Sequence, residues 1–96
     1  MLIARVIGTT ISTIKDEKLV GGKLLVLRQT DEFGEPSGKP YVAVDSVDAG
    51  IGDLVLTAAG SSARQTSQTK DRPVDAVIMA VIDSLEVMGD VTFRKA

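Results

Sequence analysis

Two segments of the sequence match the Ser-x-x-Lys pattern, in which a lysine side chain helps to activate a serine for acyl transfer. They are Ser12–Lys15 and Ser67–Lys70. This chemistry needs a helix that presents both side chains to a pocket with an oxyanion hole. The first match lies at the end of a predicted strand and the second in a polar loop. We therefore interpret both matches as coincidental.

The glycines do not form a cofactor-binding loop. Gly50–Gly52 begins like a dinucleotide-binding fingerprint, but Val55 occupies the place of the third glycine and no helix is predicted after it. Gly21–Lys23 is followed by Leu24 and lacks the pattern of a phosphate-binding loop. We predict a tight turn at Ala49–Gly52 and no bound cofactor.

The 13 acidic residues do not have the spacing of a calcium-binding loop, which neither Asp31–Glu35 nor Asp45–Asp48 supplies. Most are predicted to be solvated carboxylates in turns. Asp45 and Asp83 differ, because each interrupts an apolar strand and a charge there needs an ionic partner or backbone donors. We expect both to be structural and not catalytic.

Cysteine and histidine are both absent. Their absence excludes disulfides, thiolate nucleophiles and zinc sites of the usual ligand set, and it removes the side chain best suited to proton transfer near neutral pH. A net charge of −2 with 3% aromatic residues argues against nucleic acid as a partner. We predict no catalytic residue, no metal site and no enzymatic activity.

The chain length of 96 residues fits a single domain that covers residues 1–96. Apolar runs such as Leu54–Leu56 and Val77–Ile82 are far shorter than the ~20 residues of a membrane span. Met1 is not followed by the basic and long apolar segments of a secretory signal. We expect no membrane partner and a cytoplasmic location.

Alternating apolar residues between turn signals predict an all-β chain that forms a barrel or a sandwich. The segment Val74–Val87 also has apolar positions at helical spacing, but its six β-branched residues favour a strand. Ser62 and Gln65 have the spacing of a capping box, which predicts one helical turn. Asp31–Pro40 is rich in turn residues and is predicted to be a loop. The predicted strands cover residues 2–13, 23–30, 41–47, 54–58 and 74–87, with a short extended piece at 91–94.

Several predicted strands are apolar on both faces. In the first strand Ile3 and Ile7 share one face, while Ala4 and Val6 lie on the other. A barrel has one interior, so outward apolar side chains need cover, either from a helix or hairpin of the same chain or from a partner. Large exposed apolar patches are uncommon on monomers, and we therefore predict that the protein assembles.

A set of short motifs then resembles the vertex proteins of bacterial microcompartments, which include pentamer-forming shell proteins of carboxysomes and of ethanolamine- and propanediol-utilising organelles. The motifs with the strongest resemblance are Gly60–Arg64 and Arg72–Ala76. The likeness covers nearly the whole chain, and the other matching segments are Ala4–Thr9, Ser12, Thr13, Lys15, Lys23–Val26, Val44–Val47, Ala49–Gly52 and Ile82–Asp83.

The resemblance implies a five-stranded β-barrel related to the OB-fold, with a short helical turn, and a homopentamer that caps the vertices of the shell. It implies hexameric and trimeric shell proteins as partners. Subunit contacts of the ring are implied at Gly60, Ser61, Ser62, Ala63, Arg64 and Asp75. Contacts with shell tiles are implied at Ser12, Asp48, Ala49, Gly50, Ile51, Gly52 and Asp53.

The chain departs from the family pattern in the turn that is implied to meet the tiles. The family usually reads Gly-Ala-Gly-x-Gly-Glu, where this chain has Asp48 at the first position and Asp53 at the last. Asp tolerates a left-handed backbone better than most residues but adds a side chain and a charge. Two alternative functions remain open at this point: an OB-type module for nucleic acid or a small ligand, and an enzyme that uses Asp, Lys and Arg alone.

Overall fold

The structure is a computed structural model that describes residues 1–10, 23–59 and 76–96. Within these ranges the chain forms strands and turns and contains no helix. The predicted helical turn at Ser62–Gln65 falls outside the described residues. The strands are β1 (Leu2–Thr9), β2 (Lys23–Thr30), β3 (Pro36–Asp45), β4 (Leu54–Ala59), β5 (Ala76–Val81), β6 (Ser84–Val87) and β7 (Asp90–Arg94).

The first five strands form a closed barrel in the order β1-β2-β3-β5-β4, which confirms the predicted five-stranded barrel. Strand β1 pairs antiparallel with β2 on one side and with β4 on the other. The barrel closes between β3 and β5, the parallel pair of the sheet, through Val44 opposite Val77 and Asp45 opposite Ile78. Within the described residues, the closing contact consists of these two pairs at the end of β3.

Aliphatic side chains fill the barrel because alternate residues of each strand point inward. On β2 the inward residues Leu25 and Leu27 are fully buried, whereas their neighbours Leu24 and Val26 are half-buried. The buried Thr57 hydroxyl is paired, since the Tyr41 hydroxyl lies 3.0 Å from Thr57 Oγ1. The buried apolar residues of this interior are Ala4, Val6, Leu25, Leu27, Ala43, Ala49, Val55, Ala76 and Ile78.

The prediction of strands with two apolar faces is also confirmed. Adjacent residues Val77 and Ile78 of β5 are both fully buried, so both faces of this strand are covered. Val77 belongs to a second, smaller cluster with Val44 and Ala58. Elsewhere the outer face carries exposed aliphatic side chains, such as Ile7 at 42% and Val42 at 47% of full exposure.

The predicted loop Asp31–Pro40 is too long, because β3 already begins at Pro36. The Asp31 carboxylate accepts hydrogen bonds from the amides of Phe33 and Glu35, which closes the turn within a few residues. Proline is compatible with the first part of β3, since among the described residues this part pairs only with β2.

The single strand predicted at Val74–Val87 is wrong. Within the described residues the barrel strand β5 ends at Val81, and Ser84–Val87 forms β6 of a separate two-stranded sheet with β7. The amide of Ile82 donates to the carbonyl of Leu54 at 2.8 Å before the chain leaves the barrel. Met88 and Gly89 both have positive φ angles, 52° and 85°, as a two-residue hairpin turn requires.

The first strand is also shorter than predicted, since β1 ends at Thr9, and residues 11–13 lie outside the described ranges. The predicted third strand extended to Val47, whereas β3 ends at Asp45. The second strand matches its predicted bounds. No helix in the described part of the chain has the length and apolar character needed to cross a membrane.

The close packing of the barrel interior predicts how much stability is lost when a buried side chain is shortened. Leu27 is 0% exposed and Met88 is 97% exposed, so Leu27→Ala should lower the free energy of unfolding by about 2–5 kcal/mol and Met88→Ala by less than about 0.5 kcal/mol. Urea unfolding checks this at one fixed protein concentration, because assembly makes apparent stability depend on concentration. A loss below about 1 kcal/mol for Leu27→Ala would contradict a closely packed interior.

Candidate functional site

The site that the sequence indicates lies partly within the described residues. Asp48, Ala49, Gly50, Ile51, Gly52 and Asp53 form one turn between β3 and β4, which we call the contact turn. This turn contains six of the seven residues for which the resemblance implied contacts with shell tiles. The remaining predicted site residues lie outside the described ranges: Ser12, Gly60, Ser61, Ser62, Ala63, Arg64 and Asp75.

Asp45 holds the first half of the contact turn. Its side chain is only 2% exposed, and its two carboxylate oxygens accept hydrogen bonds from the amides of Val47 at 3.0 Å and Ala49 at 2.9 Å. Lys23 Nζ lies 3.5 Å from Asp45 Oδ2 and donates to the carbonyl oxygen of Ala49 at 2.9 Å. The buried charge thus has backbone donors and an ionic partner, so Asp45 has the predicted structural role.

Asp53 holds the second half of the turn. Its carboxylate accepts from the amide of Gly50 at 2.9 Å and lies 3.8 Å from Lys95 Nζ. The backbone of the turn also pairs with β1, because the amide of Gly52 donates to the carbonyl of Val6 at 2.8 Å and the amide of Val6 donates to the carbonyl of Asp53 at 2.9 Å. The turn is therefore fixed at both ends.

The members of the turn differ in exposure. Ala49 is fully buried and anchors the turn in the barrel. Ile51 is 69% exposed, and the Asp48 side chain is 99% exposed although it lies 3.6 Å from Lys23 Nζ. Asp48 has a φ angle of 57°, so it adopts the left-handed backbone that the sequence comparison with the family's glycine suggested. Asp48 and Ile51 are the side chains that this turn presents to solvent.

Arg5 is a residue that the sequence reasoning missed. Its Nη1 donates to the carbonyl of Gly52 at 2.9 Å, while Nη2 and Nε donate to the carbonyl of Gly34 at 2.9 and 3.3 Å. Its guanidinium lies 5.6 Å from the centre of the Phe93 ring. The available signal was a lone charge between Ile3 and Ile7 on an apolar strand face, which is the signal that identified Asp45.

Asp83 does not have the predicted place in the fold. It lies between β5 and β6, not within an apolar strand, and its side chain is exposed. The backbone of this residue makes the structural contact instead, since the carbonyl of Asp83 accepts from the amide of Lys95 at 2.7 Å. Sequence alone could not separate Asp83 from Asp45, because both follow an aliphatic residue at the end of an apolar run.

Beside the contact turn lies an open cleft of about 370 Å³, lined by Arg5, residues 51–54 and residues 93–96. The aspartate in this lining is Asp53, whose carboxylate is already bound by Lys95 and the amide of Gly50. Within the described ranges, no three acidic residues are grouped so that they could hold a metal ion. The groups of this site serve to fix the backbone of the turn.

The different surroundings of the two aspartates predict different effects of their removal. Asp45→Ala should lower the free energy of unfolding by about 2–4 kcal/mol, because it leaves two amide donors without their acceptor and removes an ionic partner of Lys23. Asp83→Ala is the matched control and should change it by less than about 0.5 kcal/mol. Urea unfolding of both variants under identical conditions makes the comparison, and equal effects would contradict the assigned role of Asp45.

Comparisons of this chain with family models, with curated proteins and with solved structures all indicate the same family. The family model described as ethanolamine utilisation protein EutN/carboxysome matches residues 1–83. The carboxysome shell vertex protein CcmL of Gloeobacter violaceus is 45% identical over 87 residues, which cover 91% of this chain and 87% of that protein.

Solved structures of similar proteins share the fold over almost the full length. The structure of CcmL from Nostoc sp. PCC 7120 has a TM-score of 0.92 and 46% identity and covers 99% of this chain and 100% of that one. The pentameric microcompartment shell protein GrpN of Rhodospirillum rubrum has a TM-score of 0.83 and 41% identity, with 92% of this chain and 100% of that chain covered. Sequence, barrel topology and structural similarity together show that this chain belongs to the EutN/CcmL family of microcompartment shell vertex proteins.

Proposed function

We propose that this protein is a structural subunit that forms a homopentamer and caps the vertices of a bacterial microcompartment shell. The observation that carries the proposal is the similarity, over nearly the whole chain, to a shell protein whose structure is pentameric. Hexagonal tiles alone form a flat sheet, and pentagons are needed where such a sheet closes into a shell. A small barrel that forms a ring of five would supply them.

The outer face of the barrel supports assembly. Ile7, Val26 and Val42 lie on the neighbouring strands β1, β2 and β3, with Gly8 opposite Val26 and Val26 opposite Val42. Ile7 and Val42 are more than 40% exposed. Burial of apolar surface contributes about 25 cal/mol per Å², so contacts between copies that cover such side chains would stabilise a ring. The ring contacts proposed from the family pattern are those of Gly60–Arg64 and Asp75.

The contact turn is proposed to meet the neighbouring hexameric and trimeric tiles, together with Ser12. Its backbone is held by Asp45, Asp53 and Arg5. A surface that is already fixed loses little conformational entropy on binding. The proposal includes no catalytic step, no cofactor and no nucleic acid or membrane partner, and it places the shell in the cytoplasm.

The ring itself is tested by the mass of the protein in solution. Native mass spectrometry should find five copies of the 10.1-kDa chain, about 50 kDa in total. Sedimentation over a range of protein concentrations should show the same species. A stable monomer at micromolar concentration would overturn the proposed ring.

Arg64 is the proposed side chain for a contact across the subunit boundary, because a planar guanidinium suits bidentate pairing with a carboxylate. Arg64→Ala should raise the protein concentration at which the ring dissociates by about tenfold or more, without unfolding the subunit. Arg94→Ala, at an exposed position of β7, is the matched control. Sedimentation of both variants in a dilution series measures the effect, and unchanged dissociation of Arg64→Ala would count against this contact.

Gly50 is the position at which a tile contact can be blocked without strain in the turn. A Cβ at Gly50 would lie 3.9 Å from Asp53 Oδ2, in ordinary contact, whereas Gly52 has a φ angle of 93° that disfavours any side chain. Gly50→Arg should keep the mass of the ring and prevent shell closure on co-expression with a hexameric tile. Gly50→Ala should close shells normally. Closed shells with Gly50→Arg, seen by electron microscopy, would remove the turn from this role.

A further inference from the structure

We infer that the surface by which the vertex protein binds a shell tile has two parts, the contact turn and the loop Asp31–Glu35. In this inference Phe33 and Ile51 are its exposed apolar contacts, and Arg5 is the positioning residue that holds the two parts together. The inference rests on the proposed function. It adds to the tile-binding surface a loop that lies far from the turn in sequence.

The two parts are bound to one guanidinium group. Gly34 and Gly52 offer their carbonyl oxygens to Arg5, each at 2.9 Å from a different terminal nitrogen. Phe33 directly precedes Gly34, and Ile51 directly precedes Gly52. Because a guanidinium is planar and rigid, the spacing of the two carbonyls is fixed, and with it the spacing of the backbone that carries Phe33 and Ile51.

The loop is as firmly held as the turn. The Asp31 carboxylate accepts from the amides of Phe33 at 2.8 Å and Glu35 at 3.0 Å. The hydroxyl of Thr92 donates to the carbonyl of Glu32. A Cβ on Gly34 would lie 2.8 Å from Arg5 Nη2 and 3.2 Å from the Phe93 ring, so this glycine permits a close approach. The loop is therefore a preformed surface supported from behind by β7.

Phe33 is the exposed member of a small set of aromatic residues. The chain has one tyrosine and two phenylalanines. Tyr41 and Phe93 are half-buried, whereas Phe33 is 55% exposed. Aromatic side chains are enriched at protein interfaces, where they offer a large contact area at low cost in conformational entropy. With Ile51 at 69% exposure, the surface has an apolar side chain on each of its two parts.

The charges of this surface indicate the kind of tile edge that it would bind. On the loop, Glu32 and Glu35 are exposed acidic side chains, and among the described residues neither forms an ion pair. On the turn, the exposed Asp48 lies 3.6 Å from Lys23 Nζ, and the Arg5 guanidinium between the two parts is bound to backbone carbonyls. The carboxylates of Asp31 and Asp53 are engaged with backbone amides. The surface therefore fits a tile edge that presents apolar side chains flanked by lysine or arginine. Raising the salt concentration should weaken such a complex.

The test uses the intact ring and a purified hexameric tile. Phe33→Ser should weaken binding of the tile by about tenfold or more while the mass of the ring is unchanged. Met88→Ser is the matched control, since Met88 is 97% exposed and lies in the turn of the β6–β7 hairpin; it should leave tile binding within about twofold of the original protein.

The positioning role of Arg5 needs a variant that keeps the charge. Arg5→Lys retains a cation but cannot reproduce the fork that reaches both carbonyls. Amide hydrogen exchange at Gly52 should accelerate by about tenfold, while exchange at Leu25 and Leu27 in the core is unchanged. The loss of tile affinity in Arg5→Lys and in Phe33→Ser should be non-additive in the double variant, because Arg5 acts through the placement of Phe33.

The other possible results of these experiments show whether the inference fails alone or the proposed tile contact fails with it. If Phe33→Ser binds tiles normally while Gly50→Arg does not, the loop has no part in the surface and the inference is overturned, but the proposed function stands. If neither substitution affects tile binding, the contact turn itself fails as a tile contact. If Phe33→Ser dissociates the ring, or abolishes an association between rings, the loop contacts another copy of this chain and the inference is wrong.

Discussion

The hydrogen bonds of the buried Asp45 carboxylate hold the contact turn, at the residue where the barrel also closes. Asp45 lies opposite Ile78 in the short parallel pairing that closes the barrel. The same residue accepts hydrogen bonds from the amides of Val47 and Ala49, which start the turn. Next to it, the Ser46 hydroxyl donates to the carbonyl of Ile78 at 2.6 Å. The residues that close the barrel and the residue that fixes the start of the contact turn therefore lie together at the end of β3.

Arg5 has a corresponding role on the side of β1. It links the contact turn, the loop between β2 and β3, and Phe93 of the β6–β7 hairpin through one rigid group. Within the described part of the chain, the hairpin shares no strand pairing with the barrel and is joined to it through side chains, among them Arg5 and Thr92. These contacts give the protein surfaces of fixed shape, as the proposed contact with neighbouring tiles requires.

Three aspartate side chains among the described residues bind the protein's own backbone. Asp31, Asp45 and Asp53 each use their carboxylates to hold amide groups in a turn. The apolar side chains show the opposite tendency, since Ile7, Phe33, Val42 and Ile51 remain substantially exposed. Aspartates that hold the protein's own backbone and apolar side chains that stay exposed are consistent with a protein that acts by assembly.

The sequence by itself determined the class of fold, because alternating β-branched residues between turn signals predict an all-β barrel or sandwich. The choice of a five-stranded barrel came from the resemblance of its motifs to the family. It also identified the contact turn, whose glycines and acidic residues are contiguous, and the structural role of Asp45. Only the tertiary structure decided where Val74–Val87 breaks, since an apolar run does not reveal which neighbour each residue pairs with. It alone also revealed the partners of Arg5, because that side chain binds carbonyls 29 and 47 residues away along the chain, and a lone charge on a strand face does not indicate which distant groups it binds.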